Sequence, residues 1–123
     1  MPTILLVDDD TEMLRLYKMI LEEKFDVLTA ESGEKALTVV KESHPDLVLL
    51  DIMMPAMNGI EVLEHIKADP ETSATAVAML TNLADENYKK SALEKGAKKY
   101  LIKSEFEPDE LMKEIASLIP SAA

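Results

Sequence analysis

Cysteine is absent from the 123 residues. That excludes disulfides and any thiolate zinc site, and it fits a reducing cytosol. Glycine occurs only at Gly33, Gly59 and Gly96, so there is no glycine-rich nucleotide loop. No apolar run approaches the length of a membrane span. The start MPTILLVDDD has no basic stretch before its short apolar run, unlike a signal peptide. Positive charge is scarce: 13 Lys and Arg face 24 Asp and Glu, for a net charge of −11. Phosphate binding is driven by Lys and Arg, so this balance argues against a nucleic-acid surface. With 30% charged and 47% hydrophobic residues, the chain reads as a cytoplasmic globular domain with one core.

The apolar residues that are present are patterned. Five short runs recur: TILLV from Thr3, DVLTA from Asp26, DLVLL from Asp46, AVAML from Ala76 and KYLI from Lys99. Rich in Val, Ile and Leu without strict alternation, they predict strands buried on both faces. Helical stripes lie between them. Met13, Leu14, Tyr17, Ile20 and Leu21 share one helix face, as do Val62, Leu63 and Ile66, and Leu111, Ile115, Leu118 and Ile119. Asn58 and Glu61 form an N-cap with its N3 partner, and Gly96 sits where a helix can end. No hairpin signal intervenes, so the connections are right-handed parallel crossovers. The expected fold is α/β: a doubly wound, flavodoxin-like (βα)5 unit with strand order 2-1-3-4-5. One domain spans 1–119, and 120–123 reads as a tail or linker stub. Five βα units leave no room for an output module in these residues, so the readings are a stand-alone regulator, which is preferred, or a receiver cut from a longer protein.

The run LVDDD ends the first strand in three acids. In a doubly wound sheet, ligands bind beyond the C-terminal strand ends, where the strand order reverses. That point lies between strands one and three, which end in Asp8 and Asp9, and in Asp51. Two carboxylates ~5 Å apart repel by about 3 kcal/mol at an effective dielectric near 20, so holding them together calls for a cation or raised pKa values. All-oxygen ligation suits Mg²⁺, with Mn²⁺ as a substitute. Thr81 after the fourth strand and Lys103 after the fifth add a hydroxyl and an ammonium to the same rim. Together these groups suit phosphoryl transfer to a carboxylate. Singly, each has an ordinary reading. Asp9 or Asp10 can cap the first helix, Asp51 can be a turn acid, Thr81 a strand end and Lys103 a surface charge.

With these residues in view, the chain resembles the receiver domain of two-component response regulators over essentially its whole length. Asp8 and Asp9 match the acid pair. LLDIMMPAMNG resembles the phosphoacceptor segment, with Asp51 as acceptor and Pro55 and Gly59 in register. MLT supplies Thr81, and GAKKYLIK supplies the switch aromatic Tyr100 and Lys103. The resemblance implies a phosphoryl group donated by a histidine kinase or phosphotransfer protein. It also implies Mg²⁺ held by Asp8, Asp9, Asp51 and the Met53 backbone carbonyl. Thr81 and Tyr100 would then move and remodel the face of the fourth helix, fifth strand and fifth helix. Three positions depart from the family pattern. Ser104 replaces the usual Pro after Lys103, which predicts a trans bond there. Asn82 replaces a small residue and would narrow access to Asp51 or bond the phosphoryl group. Met53 and Leu83 cannot orient a water, which predicts slow phosphate loss. A degenerate receiver acting by binding alone is the alternative.

Two rivals fit less well. A haloacid-dehalogenase-type phosphohydrolase would use Asp8 and Asp10, but that family wants Thr or Val where Glu12 stands. A flavin binder needs amides after the first strand, where this chain has acids. Residues 87–104 carry six Lys against Glu94, which reads as a solvated face or, across Lys89–Lys103, as a docking surface for an acidic protein. Met13 and Met79 read as core. Met53, Met54 and Met57 crowd the acceptor loop, as packing or as a kinase contact. His44 and His65 read as surface residues.

Overall fold

Alternation within each strand decides the layers of this structure, a computed structural model describing residues 1–119. The strands are β1 (Thr3–Val7), β2 (Asp26–Ala30), β3 (Leu47–Leu50), β4 (Ala76–Thr81) and β5 (Tyr100–Ile102). The helices are α1 (Thr11–Leu21), α2 (Gly33–Ser43), α3 (Gly59–Ala68), α4 (Glu86–Glu94) and α5 (Pro108–Leu118), with a 3-10 turn at Lys103–Glu105. The strands form one parallel sheet in the order β2-β1-β3-β4-β5, as the sequence predicts. Leu5 and Val7 of β1 join Val48, Leu50, Val77 and Met79 against α2, α3 and α4. Ile4 and Leu6 join Leu47, Leu49, Ala78 and Leu80 against α1 and α5. Side chains alternate across a strand, so strands apolar at every position need helices on both faces. Fully burying each Leu or Ile is worth about 1.5–3 kcal/mol.

The helices start where the sequence marks them. Asp10 caps α1, its side chain accepting from the backbone N–H of Glu12 and Met13. Asn58 and Glu61 form the full capping box of α3. Gly96 follows α4 with φ of 111°, a conformation that favours glycine. Leu111, Ile115 and Leu118 are buried as expected, and His44 and His65 are exposed. Met79 is core, but Met13 is only half-buried. It directly precedes Leu14 on α1, about 100° round the helix from it, and so does not enter the core that Leu14 and Leu21 reach. The expected tail at 120–123 lies outside the described residues.

Register does the positioning. Val7 of β1 lies level with Leu50 of β3, so the next residues, Asp8 and Asp51, leave the sheet side by side. The Asp51 N–H donates to the Val7 carbonyl at 3.0 Å, which carries the ladder one step past the strand. Thr81 lies level with Ile102, so Lys103 emerges at the same edge.

Candidate functional site

At this edge Asp8, Asp9 and Asp51 each bring a carboxylate oxygen within 4.8 Å of the others. Asp8 and Asp51 are buried and Asp9 is exposed. The Lys103 ammonium lies between the buried pair, 2.5 Å from Asp8 Oδ2 and 3.2 Å from Asp51 Oδ2, with 7% of its side chain exposed. The second oxygens are also engaged. Asp8 Oδ1 accepts from the Asp10 N–H at 3.0 Å, and Asp51 Oδ1 from the Met53 N–H at 3.4 Å. Burial pushes the Asp8 carboxyl above its ordinary value, against the opposing pull of its Lys103 and Asp10 hydrogen bonds. Burial works against the Lys103 charge, but the Asp8 hydrogen bond and the Asp51 and Asp8 charges outweigh it, so its pKa is raised. An open cleft of about 440 Å³ covers the cluster, lined also by Met13, Met53, Thr81, Asn82 and Leu83.

Thr81 closes β4 as its last residue. Its Oγ1 accepts from the Leu83 N–H at 3.2 Å. The Leu83 carbonyl in turn accepts from the Tyr100 hydroxyl, so the half-buried ring is anchored to the loop after β4.

A family model, the response regulator receiver domain, matches residues 4–116. The chain belongs to this family. This receiver domain is 43% identical over 110 residues to the DNA-binding response regulator MtrA of Mycobacterium tuberculosis, covering 89% of this chain and 46% of that protein. It is also 43% identical over 120 residues to the transcriptional regulatory protein CpxR of Klebsiella pneumoniae, covering 97% of this chain and 50% of that one. The chain thus spans about half the length of these relatives. Among solved structures, Vibrio cholerae chemotaxis protein CheY4 superposes with a TM-score of 0.89 at 27% identity, covering 97% of this chain and 99% of that one. The BeF3-activated DrrB receiver domain gives 0.82 at 33% identity, covering 96% and 97%. The chain is therefore a receiver domain of two-component signalling. Among the described residues no helix is long and apolar enough to cross a membrane.

Several expectations change at the level of single side chains. Lys103, read from the sequence as an ammonium at the rim or a surface charge, is buried and bridges Asp8 and Asp51. The Lys103–Ser104 bond, by contrast, is trans as Ser104 predicts, since no peptide among the described residues is cis. Asn82, expected to narrow access to Asp51 or to bond a phosphoryl group, lines the cleft, and its side chain also accepts from the Ser104 N–H at 3.1 Å. Met54 is buried and Met57 half-buried, so only Met53, 63% exposed, is available from the loop to a partner. The lysine run is not one patch. Lys103 is internal, Lys95 pairs with Glu64 at 3.6 Å and Lys99 with Glu114 at 3.5 Å. Met13 is the cleft residue that core assignment missed, although it lies only three residues after the acid run.

Gly59 holds the acceptor loop against α3. Its N–H donates to the Ile52 carbonyl at 3.0 Å. A Cβ there would lie 2.2 Å from the Asp51 carbonyl oxygen, a backbone atom that cannot swing aside. Gly59→Ala should cost on the order of 3 kcal/mol, within the range of severe core clashes. Urea unfolding checks this, and an unchanged midpoint would refute the close-approach reading.

Proposed function

We propose that this receiver domain is a phosphorylation-controlled switch in which Asp51 takes a phosphoryl group from a phosphohistidine on a histidine kinase or phosphotransfer protein. The observation that carries the reading is the meeting of three carboxylates within 4.8 Å beside a buried ammonium. Three negative charges against one positive leave a deficit of two, with oxygen donors only, which fits a divalent ion such as Mg²⁺ or Mn²⁺. Asp8, Asp9, Asp51 and the Met53 carbonyl would hold that ion, which when bound supplies charge for the phosphoryl oxygens.

An Asp51 oxygen attacks phosphorus as the bond to the donor imidazole nitrogen breaks. The imidazole leaves with the electron pair and picks up a proton. Lys103 already touches Asp51 and follows the negative charge onto the new phosphoryl oxygens. The Thr81 oxygen accepts from Leu83, which leaves its hydrogen for that phosphoryl group. A shift of Thr81 therefore disturbs Leu83, whose carbonyl anchors Tyr100. The face of α4, β5 and α5 changes in consequence. Helix α4 buries only Ala92, so little holds it in one position. The named relatives include DNA-binding regulators, but a net charge of −11 opposes direct nucleic-acid contact by this domain, so its output is a protein contact in the cytoplasm.

Incubation with acetyl phosphate and Mg²⁺, followed by intact mass, is the test. One added phosphoryl group is expected, and none after EDTA. No uptake from any donor would make the domain a binding module. Met53 and Leu83 bring no group that orients water, so the phosphorylated form should persist for minutes or longer. A half-life of seconds would refute that part.

A further inference from the structure

Asn82 and Ser104 each depart from the family pattern, and in the fold they meet. The Asn82 Oδ1 accepts from the Ser104 backbone N–H at 3.1 Å, across 22 positions of sequence. Ser104 lies inside the 3-10 turn Lys103–Glu105, which has no side-chain cap of its own. The first N–H groups of a helical turn have no partner within it. A backbone N–H can only donate, so the amide must present its oxygen here and turn its NH2 away. Asn82 thus caps from a neighbouring loop the turn that begins with Lys103.

The placement ties the two phosphoryl-facing elements together. Asn82 directly follows Thr81, and Ser104 directly follows Lys103. Three hydrogen bonds hold residues 81–83: Thr81 accepts from the Leu83 N–H, Asn82 from Ser104 and the Leu83 carbonyl from Tyr100. Two of the three partners lie on β5 or the turn after it. The Lys103 side chain is buried, yet its turn is exposed at Ser104 and Glu105. An exposed turn that aims a buried cation needs an external hold.

We propose that Asn82 is a positioning residue that sets Lys103 for phosphoryl transfer by holding the Ser104 N–H, so that the loops bearing Thr81 and Lys103 move as one. This rests on the phosphorylation reading above. In a chain with proline after the lysine, no such donor exists and the tie cannot form. Asn82 and Ser104 therefore act as a pair, and either alone would be idle.

The test is a double-mutant cycle. Asn82→Leu keeps the size and removes the acceptor, and Ser104→Pro removes the donor. Asn82→Leu should slow uptake from acetyl phosphate about three- to tenfold, the worth of one net hydrogen bond. In the Ser104→Pro background the same change should do nothing further. Equal slowing in both backgrounds would mean that Asn82 acts by access or packing, and would overturn the proposal. So would wild-type speed in Asn82→Leu. Amide exchange at Ser104, read by NMR without any phosphodonor, separates the tie from the function. Protection in the wild type and its loss in Asn82→Leu support the tie even if the chain takes no phosphoryl group. An unprotected Ser104 amide in the wild type defeats it.

Discussion

Asp51→Asn should abolish phosphoryl uptake from acetyl phosphate, with no product detectable by intact mass at any Mg²⁺ concentration. The amide has no anionic oxygen, so the nucleophile is gone while the shape stays. Neither Asp8 nor Asp9 replaces it. Asp8 is held more tightly than Asp51, by Lys103 at 2.5 Å against 3.2 Å and by a backbone N–H at 3.0 Å against 3.4 Å, and Asp9 is exposed at the edge of the cluster. The fold should not suffer. Two carboxylates ~5 Å apart repel by about 3 kcal/mol at an effective dielectric near 20, and removing one relieves that. The Asn oxygen still accepts from Lys103, so the buried ammonium keeps two partners. Thermal unfolding in EDTA should therefore stay at or above the wild-type midpoint while uptake disappears. A variant that still gains one phosphoryl group would place the acceptor elsewhere and defeat the assignment of Asp51.

The sheet was legible because its signal is periodic. Leu5 and Val7 face one helix layer, and Ile4 and Leu6 the other. Strands buried on both faces leave that composition in the chain whatever their neighbours. The acids were legible for a different reason: charges at the end of an apolar strand are costly without a cation, so LVDDD and the Leu50–Asp51 step are conspicuous. What stayed hidden depends on distances between segments far apart in sequence. Lys103 reaches Asp8 across 95 positions and Ser104 reaches Asn82 across 22; neither spacing has a local signature. Burial by residue type also failed in the acceptor loop. Met53, Met54 and Met57 are the same residue, yet the first is exposed, the second buried and the third half-buried. The loop backbone decides which, with Ala56 held at φ of 66°.

Lys103→Met should destabilise the protein at neutral pH in EDTA by about 3 kcal/mol, the low end for breaking a buried ion pair by removing one partner. The methionine keeps most of the apolar stem, so the loss is one of charge. For a chain of this size that corresponds to roughly 10 °C in thermal midpoint. Two buried carboxylates then face each other with no cation between them. Burial already raises the Asp8 pKa, and Lys103 supplies opposing pulls by hydrogen bond and by charge. Without the ammonium, the Asp8 pKa rises further. A carboxyl whose folded pKa lies above its unfolded one favours the native state where it is protonated, and that advantage is lost as pH rises through the folded value. The variant should therefore regain stability as pH is lowered from neutral, a change opposite to ordinary acid denaturation. Wild-type Lys103, its own pKa raised, keeps its charge through the neutral range and holds the Asp8 shift down, so the wild type should show a smaller recovery. Mg²⁺ should also restore the variant, because an ion that binds only the folded cluster stabilises it by mass action. Phosphoryl uptake should remain on the order of 10²-fold slower even with the metal present, because the charge on the phosphoryl oxygens has lost one of its two counter-charges. Thermal scans at two pH values, with EDTA and with Mg²⁺, read all of this. A variant as stable as the wild type at neutral pH in EDTA would mean that the ammonium is not what holds Asp8 and Asp51 together.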